Sequence, residues 1–197
     1  MSITPGSSAL TIGPPVRFSR PTGSGYVNWV RPRCDGLTWT RFDWDMIDIA
    51  EPDFEDEQLV MFLQEHLDDL APTAPVESRH ALDLSSLQGP GVRLWVARDS
   101  GAVVGTVALA ELTVGHEELK SMRTAPARRG EGIASQLLDH ALRNARSRGV
   151  GRVSLETGSM EFFAPARAFY RKAGFTDCAP FGSYAADPNS VFMTLPL

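Results

Sequence analysis

Cysteine is nearly absent from this chain. Cys34 and Cys178 are the only two among 197 residues, far apart and in no ligand spacing. That excludes a disulfide scaffold and a zinc module, and it suits a reducing compartment. The four histidines (His66, His80, His116 and His140) form no ligand pattern either, so no metal is expected. No apolar run approaches the ~18 residues that a membrane-crossing helix needs. The first residues carry no basic segment ahead of a compact apolar one, so no secretory signal is read and the expected location is cytoplasmic. Neither charge sign is in large excess: 19 Lys and Arg against 24 Asp and Glu leave −5, which argues against a general nucleic-acid binder. With 43% hydrophobic residues the chain is too apolar to be disordered, and its length fits one domain that buries a core without cross-links.

What charge there is sits unevenly. Residues 41–75 hold eleven Asp and Glu against one Arg, whereas residues 121–152 hold seven Arg against Glu131 and Asp139. A basic stretch inside an acidic chain is read either as a site for a small phosphorylated ligand or as a solvated helix face.

Residues 1–36 are rich in Gly, Pro and Ser and lack helical periodicity, which predicts a flexible extension with a short strand at Tyr26–Val30. A domain is expected over 37–197. It opens with a strand at Trp44–Ile49 and a helix at Glu55–Leu70, whose stripe is Leu59, Phe62, Leu63, Leu67 and Leu70. A short helix follows near Ser85–Leu87. Strands Val92–Arg98 and Ala102–Leu112 are joined by the turn Asp99-Ser100-Gly101, and Glu117–Thr124 is the next strand. Gly132–Arg148 has one apolar face (Ile133, Leu137, Leu138, Ala141, Leu142, Ala145), arginines near its C-terminal dipole and Gly149 as its stop. Then come strand Arg152–Thr157, a helix opened by Pro165 and closed by Gly174, and strands Phe175–Cys178 and Val191–Leu195. The order β-α-α-β-β-β-α-β-α-β-β defines an α+β fold with a mixed sheet.

The strongest local signal is residues 118–138, where a strand enters a short basic loop that opens directly into an amphipathic helix. Small residues at Gly130, Gly132 and Ala134 let backbone N–H groups approach a ligand, the first helical turn leaves its donors unpaired, and Arg128 and Arg129 add charge. This is a diphosphate cradle. A dinucleotide fingerprint needs a third small residue where Ser135 stands and a tighter turn, and a Walker loop needs Gly-Lys-Ser/Thr, which is absent.

The frame Arg129-x-x-Gly132-x-Ala134 resembles the coenzyme A loop of the GNAT superfamily of N-acetyltransferases, and Ala166-Arg167-Ala168-Phe169-Tyr170-Arg171-Lys172-Ala173-Gly174-Phe175 resembles that family's A-x-x-L-Y-x-K-x-G-F helix end. The likeness covers about residues 40–197. The run Ser154–Ser159 and the ending Pro180-Phe181-Gly182 with Asp187–Met193 resemble a narrower bacterial group, the YsnE-like acetyltransferases. One departure is Phe163, at a frame position where the family often places an Asn that reaches pantetheine. The resemblance implies a mostly antiparallel twisted sheet flanked by helices, and direct acetyl transfer from acetyl-CoA, as co-substrate, to an amine of a small molecule or peptide. It implies Tyr170 as the acid that protonates the leaving thiolate and Glu118 as the base for the amine. It also implies coenzyme contacts at Met122, Arg123, Thr124, Arg128, Arg129, Gly130, Glu131, Gly132, Ile133, Ala134 and Ser135. One backbone N–H would polarise the thioester oxygen.

Periodicity alone leaves Tyr170 equally readable as a packed helix residue and Glu118 as a paired strand residue. A non-catalytic acyl-CoA-binding module stays open as the alternative function. Neither nucleic acid nor membrane is an expected partner, and the assembly is monomer or homodimer.

Overall fold

The apolar run Leu94–Ala97 lies in a strand whose two faces serve two different cores. The computed structural model describes residues 47–73 and 82–197, which belong to one compact unit, Asp43–Leu197. Its elements are β1 (Asp48–Ala50), α1 (Glu57–Leu70), α2 (Leu84–Leu87), β2 (Val92–Asp99), β3 (Ala102–Thr113), β4 (His116–Thr124), α3 (Ile133–Ser147), β5 (Arg152–Gly158), α4 (Ala164–Lys172), β6 (Thr176–Asp177) and β7 (Ser190–Pro196). The order of helices and strands is the expected one.

Boundaries move for local reasons. β1 covers only Asp48–Ala50, and the earlier part of the expected strand, residues 44–46, lies outside the described residues, as do Tyr26–Val30 and the whole of 1–36. α1 starts at Glu57 because the Asp56 carboxylate accepts from Gln58 N–H and caps the helix. α2 is held the same way by Asp83. The expected strand Phe175–Cys178 shortens to Thr176–Asp177, where the two-residue pairing with β7 ends.

Seven strands order as β1-β2-β3-β4-β5-β7-β6. Every neighbouring pair is antiparallel except β4 and β5, which are parallel and joined through α3. On one face, Trp95, Ala97, Val107, Leu109 and Leu119 pack with α3 and with Tyr170 and Phe175. On the other, Leu94, Val96 and Ala108 pack with Leu59 and Leu63 of α1 and Leu87 of α2. α3 lies close on the sheet at Gly105, where a Cβ would meet Leu137 Cδ1 at 2.8 Å and the Arg123 carbonyl at 2.9 Å. No helix among the described residues is long and apolar enough to cross a membrane.

Candidate active site

Beyond Glu118 the sheet splits. β4 and β5 pair only at His116↔Arg152, Glu117↔Val153 and Glu118↔Ser154, although β4 continues to Thr124 and β5 to Gly158. The cause lies in β4. Ser121 adopts φ 48°, and the register with β3 jumps there from Ala108↔Lys120 to Thr106↔Arg123. An extra residue on one strand bends it and increases its twist. The buried Thr106 holds this bulge by donating from Oγ1 to the Ser121 carbonyl at 2.9 Å. β4 therefore turns away, and its β5-facing edge over residues 119–124 has no strand partner among the described residues. An extended ligand carrying amides can pair with such an edge.

The split leads to a loop with unpaired donors. After a single turn at Pro126–Arg128 the chain reaches Gly130 and Gly132, with φ of 86° and 84°. Nothing lies within 4 Å of a Cβ built on either, so the left-handed backbone, not crowding, selects glycine. Gly132 begins α3 with no side-chain cap, and the N–H groups of residues 129–135 meet no acceptor among the described residues. This end of a fifteen-residue helix attracts anions. The two arginines divide. Arg129 is exposed with no partner among the described residues, whereas Arg128 pairs with Asp99 at 2.7 Å and Glu131 at 2.6 Å, which raises its pKa further. Glu131 thereby braces the loop against the β2–β3 turn.

On the α1 side of β4 stand Glu118 and Lys120, opposite Ala110 and Ala108 in register and only 6% and 10% exposed. Glu118 Oε1 accepts from Lys120 Nζ at 2.9 Å and from the Tyr184 hydroxyl at 2.5 Å. Lys120 Nζ also donates to Tyr184 Oη at 2.8 Å. Tyr184 is fixed edge-on against Phe181, and its phenol is pushed above its ordinary range by burial and by Glu118. Glu118 Oε2 accepts nothing among the described residues, so one oxygen is anchored and the other is available.

On the opposite side, Tyr170 of α4 is 7% exposed, with its ring against Phe169 and Phe175. Its hydroxyl has no hydrogen-bond partner among the described residues, and burial raises its pKa, so the phenol holds its proton throughout the working range. A split sheet, a helix-capped anion loop after the bulged strand and a buried phenol now stand in one unit, and residues 45–175 match the acetyltransferase (GNAT) family. The chain belongs to the GNAT acetyltransferases. It is 46% identical over 142 residues to an uncharacterized N-acetyltransferase, YsnE, of Bacillus subtilis strain 168, covering 72% of this chain and 94% of that one. A solved structure of a candidate acyl-CoA N-acyltransferase from Klebsiella pneumoniae aligns with TM-score 0.65 and 30% identity, over 78% of this chain and 99% of that one. The PaiA N-acetyltransferase of Thermoplasma acidophilum, solved in complex with coenzyme A, shares the fold at TM-score 0.59 and 17% identity, over 77% and 99% of the two chains.

Within this GNAT acyltransferase the remaining expected residues separate by face. Met122 packs on the α3 core, but the Arg123 side chain goes the other way, over the Phe62 ring of α1 at 4.9 Å, so only its main chain faces the side of Met122. Glu117, next to Glu118, is held by both terminal nitrogens of Arg148, so that arginine is a strut from α3 to β4 rather than a solvated charge. Phe163 lies over Gly158 at the end of β5, where a Cβ would sit 2.1 Å from its ring. Arg167 ties that loop by donating to the carbonyls of Gly158 at 2.7 Å and Met160 at 2.8 Å. His66 and Cys178 stand apart from the split's hydrogen bonds, and burial raises the Cys178 thiol. Sequence reasoning did not find Lys120 or Tyr184. Tyr184 lies 66 positions from Glu118, and no spacing rule joins a loop phenol to a strand carboxylate.

Proposed function

We propose that this enzyme transfers an acetyl group from acetyl-CoA to the primary amine of a small molecule or an exposed amino group by direct attack. One observation carries the reading: the gap between β4 and β5 opens onto the unpaired N–H groups of residues 129–135. Those amides and Arg129 would take the diphosphate, and the free edge of β4, including Met122 and Thr124, would pair with the pantetheine amides. Thr124 Oγ1, buried and without a partner among the described residues, fits a polar ligand there. Acetyl-CoA supplies an activated thioester carbonyl.

The chain's own groups then handle two protons. Glu118 Oε2 draws the proton from the attacking amine while Lys120 and Tyr184 hold Oε1 in place. Tyr170 donates to the departing sulfur as the new N–C bond forms and the C–S bond breaks. A buried phenol is a weaker acid than an ordinary one, and thiols titrate near 8.5, so its contribution is expected at the low end of general acid catalysis. We place the domain at 37–197 with 1–36 as an extension, and the scarcity of cysteine favours the cytoplasm.

The test is a panel of primary amines assayed for free-thiol release from acetyl-CoA. Acetylated product from at least one amine, lost in Glu118→Gln, supports the reading. Tight coenzyme binding with no turnover on any amine would leave a non-catalytic acyl-CoA module.

A further inference from the structure

The buried side-chain polar atoms that lack a partner among the described residues are Arg123 Nε and Nη1, Thr124 Oγ1 and Ser190 Oγ. They stand at one level of the sheet. Arg123 and Thr124 end β4, five and six residues past its last pairing with β5, and Ser190 begins β7 opposite Gly158, four residues past it. With one residue absorbed by the bulge, Arg123 and Thr124 lie on the β4 side of the split's wide end, while Ser190 lies one strand beyond β5. Thr124 turns to the coenzyme side with Met122. Arg123 turns to the α1 side, and Ser190 shares its strand face with Phe192, which packs on Tyr184.

Arg123 is the costly member. Its side chain is 5% exposed, and only Nη2 has partners: Asp69 at 3.1 Å and Glu65 at 3.4 Å. Both carboxylates reach it from the rim and are more than half exposed, so solvent screens them. Nε and Nη1 are buried, with no partner among the described residues. A buried charged donor left without an acceptor is among the least tolerated features of a folded chain, and nearly all such groups are satisfied by protein, water or ligand. A guanidinium suits a planar oxyanion best.

We propose that Arg123 is the acceptor-specificity site and takes a carboxylate on the molecule whose amine is acetylated. The substrate class is an amino carboxylate, its amine at Glu118 and its acid under α1. This rests on the acetyl transfer proposed above. A dianion is disfavoured by Glu65 and Asp69, which already offset the arginine. Because Phe62 of α1 lies over the guanidinium, the acid enters by displacing that ring.

The experiment compares α- and ω-amino acids with their amides and with the matching alkylamines, in the wild-type chain and in Arg123→Met. At least a tenfold higher kcat/KM for the free acids, collapsing towards unity in Arg123→Met, is the expected result. Equal values for acids and amides, or a preference that survives Arg123→Met, overturn the proposal while leaving acetyl transfer standing. A second readout needs neither turnover nor a variant: the Arg123 15Nε resonance of the coenzyme-loaded wild-type protein on titration with 4-aminobutyrate and with butylamine. A shift with the acid alone supports the site. No shift with either, or the same shift with both, overturns it, even if every amine proves inert and the transfer reading fails.

Discussion

The proposed coenzyme side and the proposed acceptor side of the split differ in how they are built. On the coenzyme side, the free edge of β4, the glycine loop and the start of α3 are contiguous in the chain, and the working groups are mostly main-chain N–H donors. On the acceptor side, Glu118, Lys120 and Arg123 of β4 meet Phe62, Glu65 and Asp69 of α1 and Tyr184 of the segment before β7, through side chains that are distant in sequence. A main-chain site tolerates any side chain that permits its backbone. A side-chain site changes its ligand with each substitution. Coenzyme recognition is therefore the part expected to be rigid, and acceptor recognition the part free to vary.

Breaking the coenzyme side should give the largest effect. Gly132→Glu forces a Cβ residue into a left-handed backbone, at about 1–2 kcal/mol, and sets an anion at a helix N-terminus that attracts anions. Coenzyme affinity measured by calorimetry should fall by more than about 10²-fold while circular dichroism is unchanged. Unaltered affinity would place the diphosphate elsewhere.

Tyr170→Phe tests the group between the two sides. It removes a donor and almost no volume, so kcat should drop by roughly 10²-fold with coenzyme affinity constant. Since burial lifts this phenol, wild-type activity should show no alkaline fall from Tyr170 within the ordinary tyrosine range. A mutant with full kcat identifies water or another group as the acid.

On the acceptor side, Tyr184→Phe deletes the hydrogen bond to Glu118 Oε1 but keeps the ring between Phe181 and Phe192. A hydrogen bond to a charged group contributes about 1.5–3 kcal/mol, and Lys120 still holds the carboxylate, so kcat/KM should fall about tenfold. Coenzyme affinity should not respond. If it does, the two sides are coupled through β4.

The smallest effect is one of stability. His66 of α1 has its pKa lowered to about 4 by burial and by Arg123. The unfolded histidine titrates near 6.5, so between pH 6.5 and 4 the unfolded chain binds the extra proton and stability falls as pH drops. At pH 5.5 the loss is about 1 kcal/mol, and below pH 4 this group adds no further change. Urea titrations of wild type and His66→Gln at pH 7.5 and 5.5 isolate it from the carboxylates, which titrate in both. An equal acid loss in the two proteins would show that His66 is solvated.

The sequence by itself determined the element order and the glycine loop that opens α3, because each depends on neighbours within a turn or a strand. Val92–Arg98 is a short apolar run ended by the turn Asp99-Ser100-Gly101, and Arg129–Ala134 carries its glycines where the backbone needs positive φ. Only the tertiary structure decided which charges do work. Sequence showed Arg128 and Arg129 as a pair, yet the β2–β3 turn brings Asp99 to one and leaves the other open. Glu117 and Glu118 are adjacent and identical in type, and strand alternation sends one to Arg148 and the other to Lys120 and Tyr184. A bulge at Ser121, which no residue preference announces, opens the sheet and aims Arg123 under α1. Such outcomes depend on which distant segment arrives opposite a side chain, and one-dimensional spacing does not contain that.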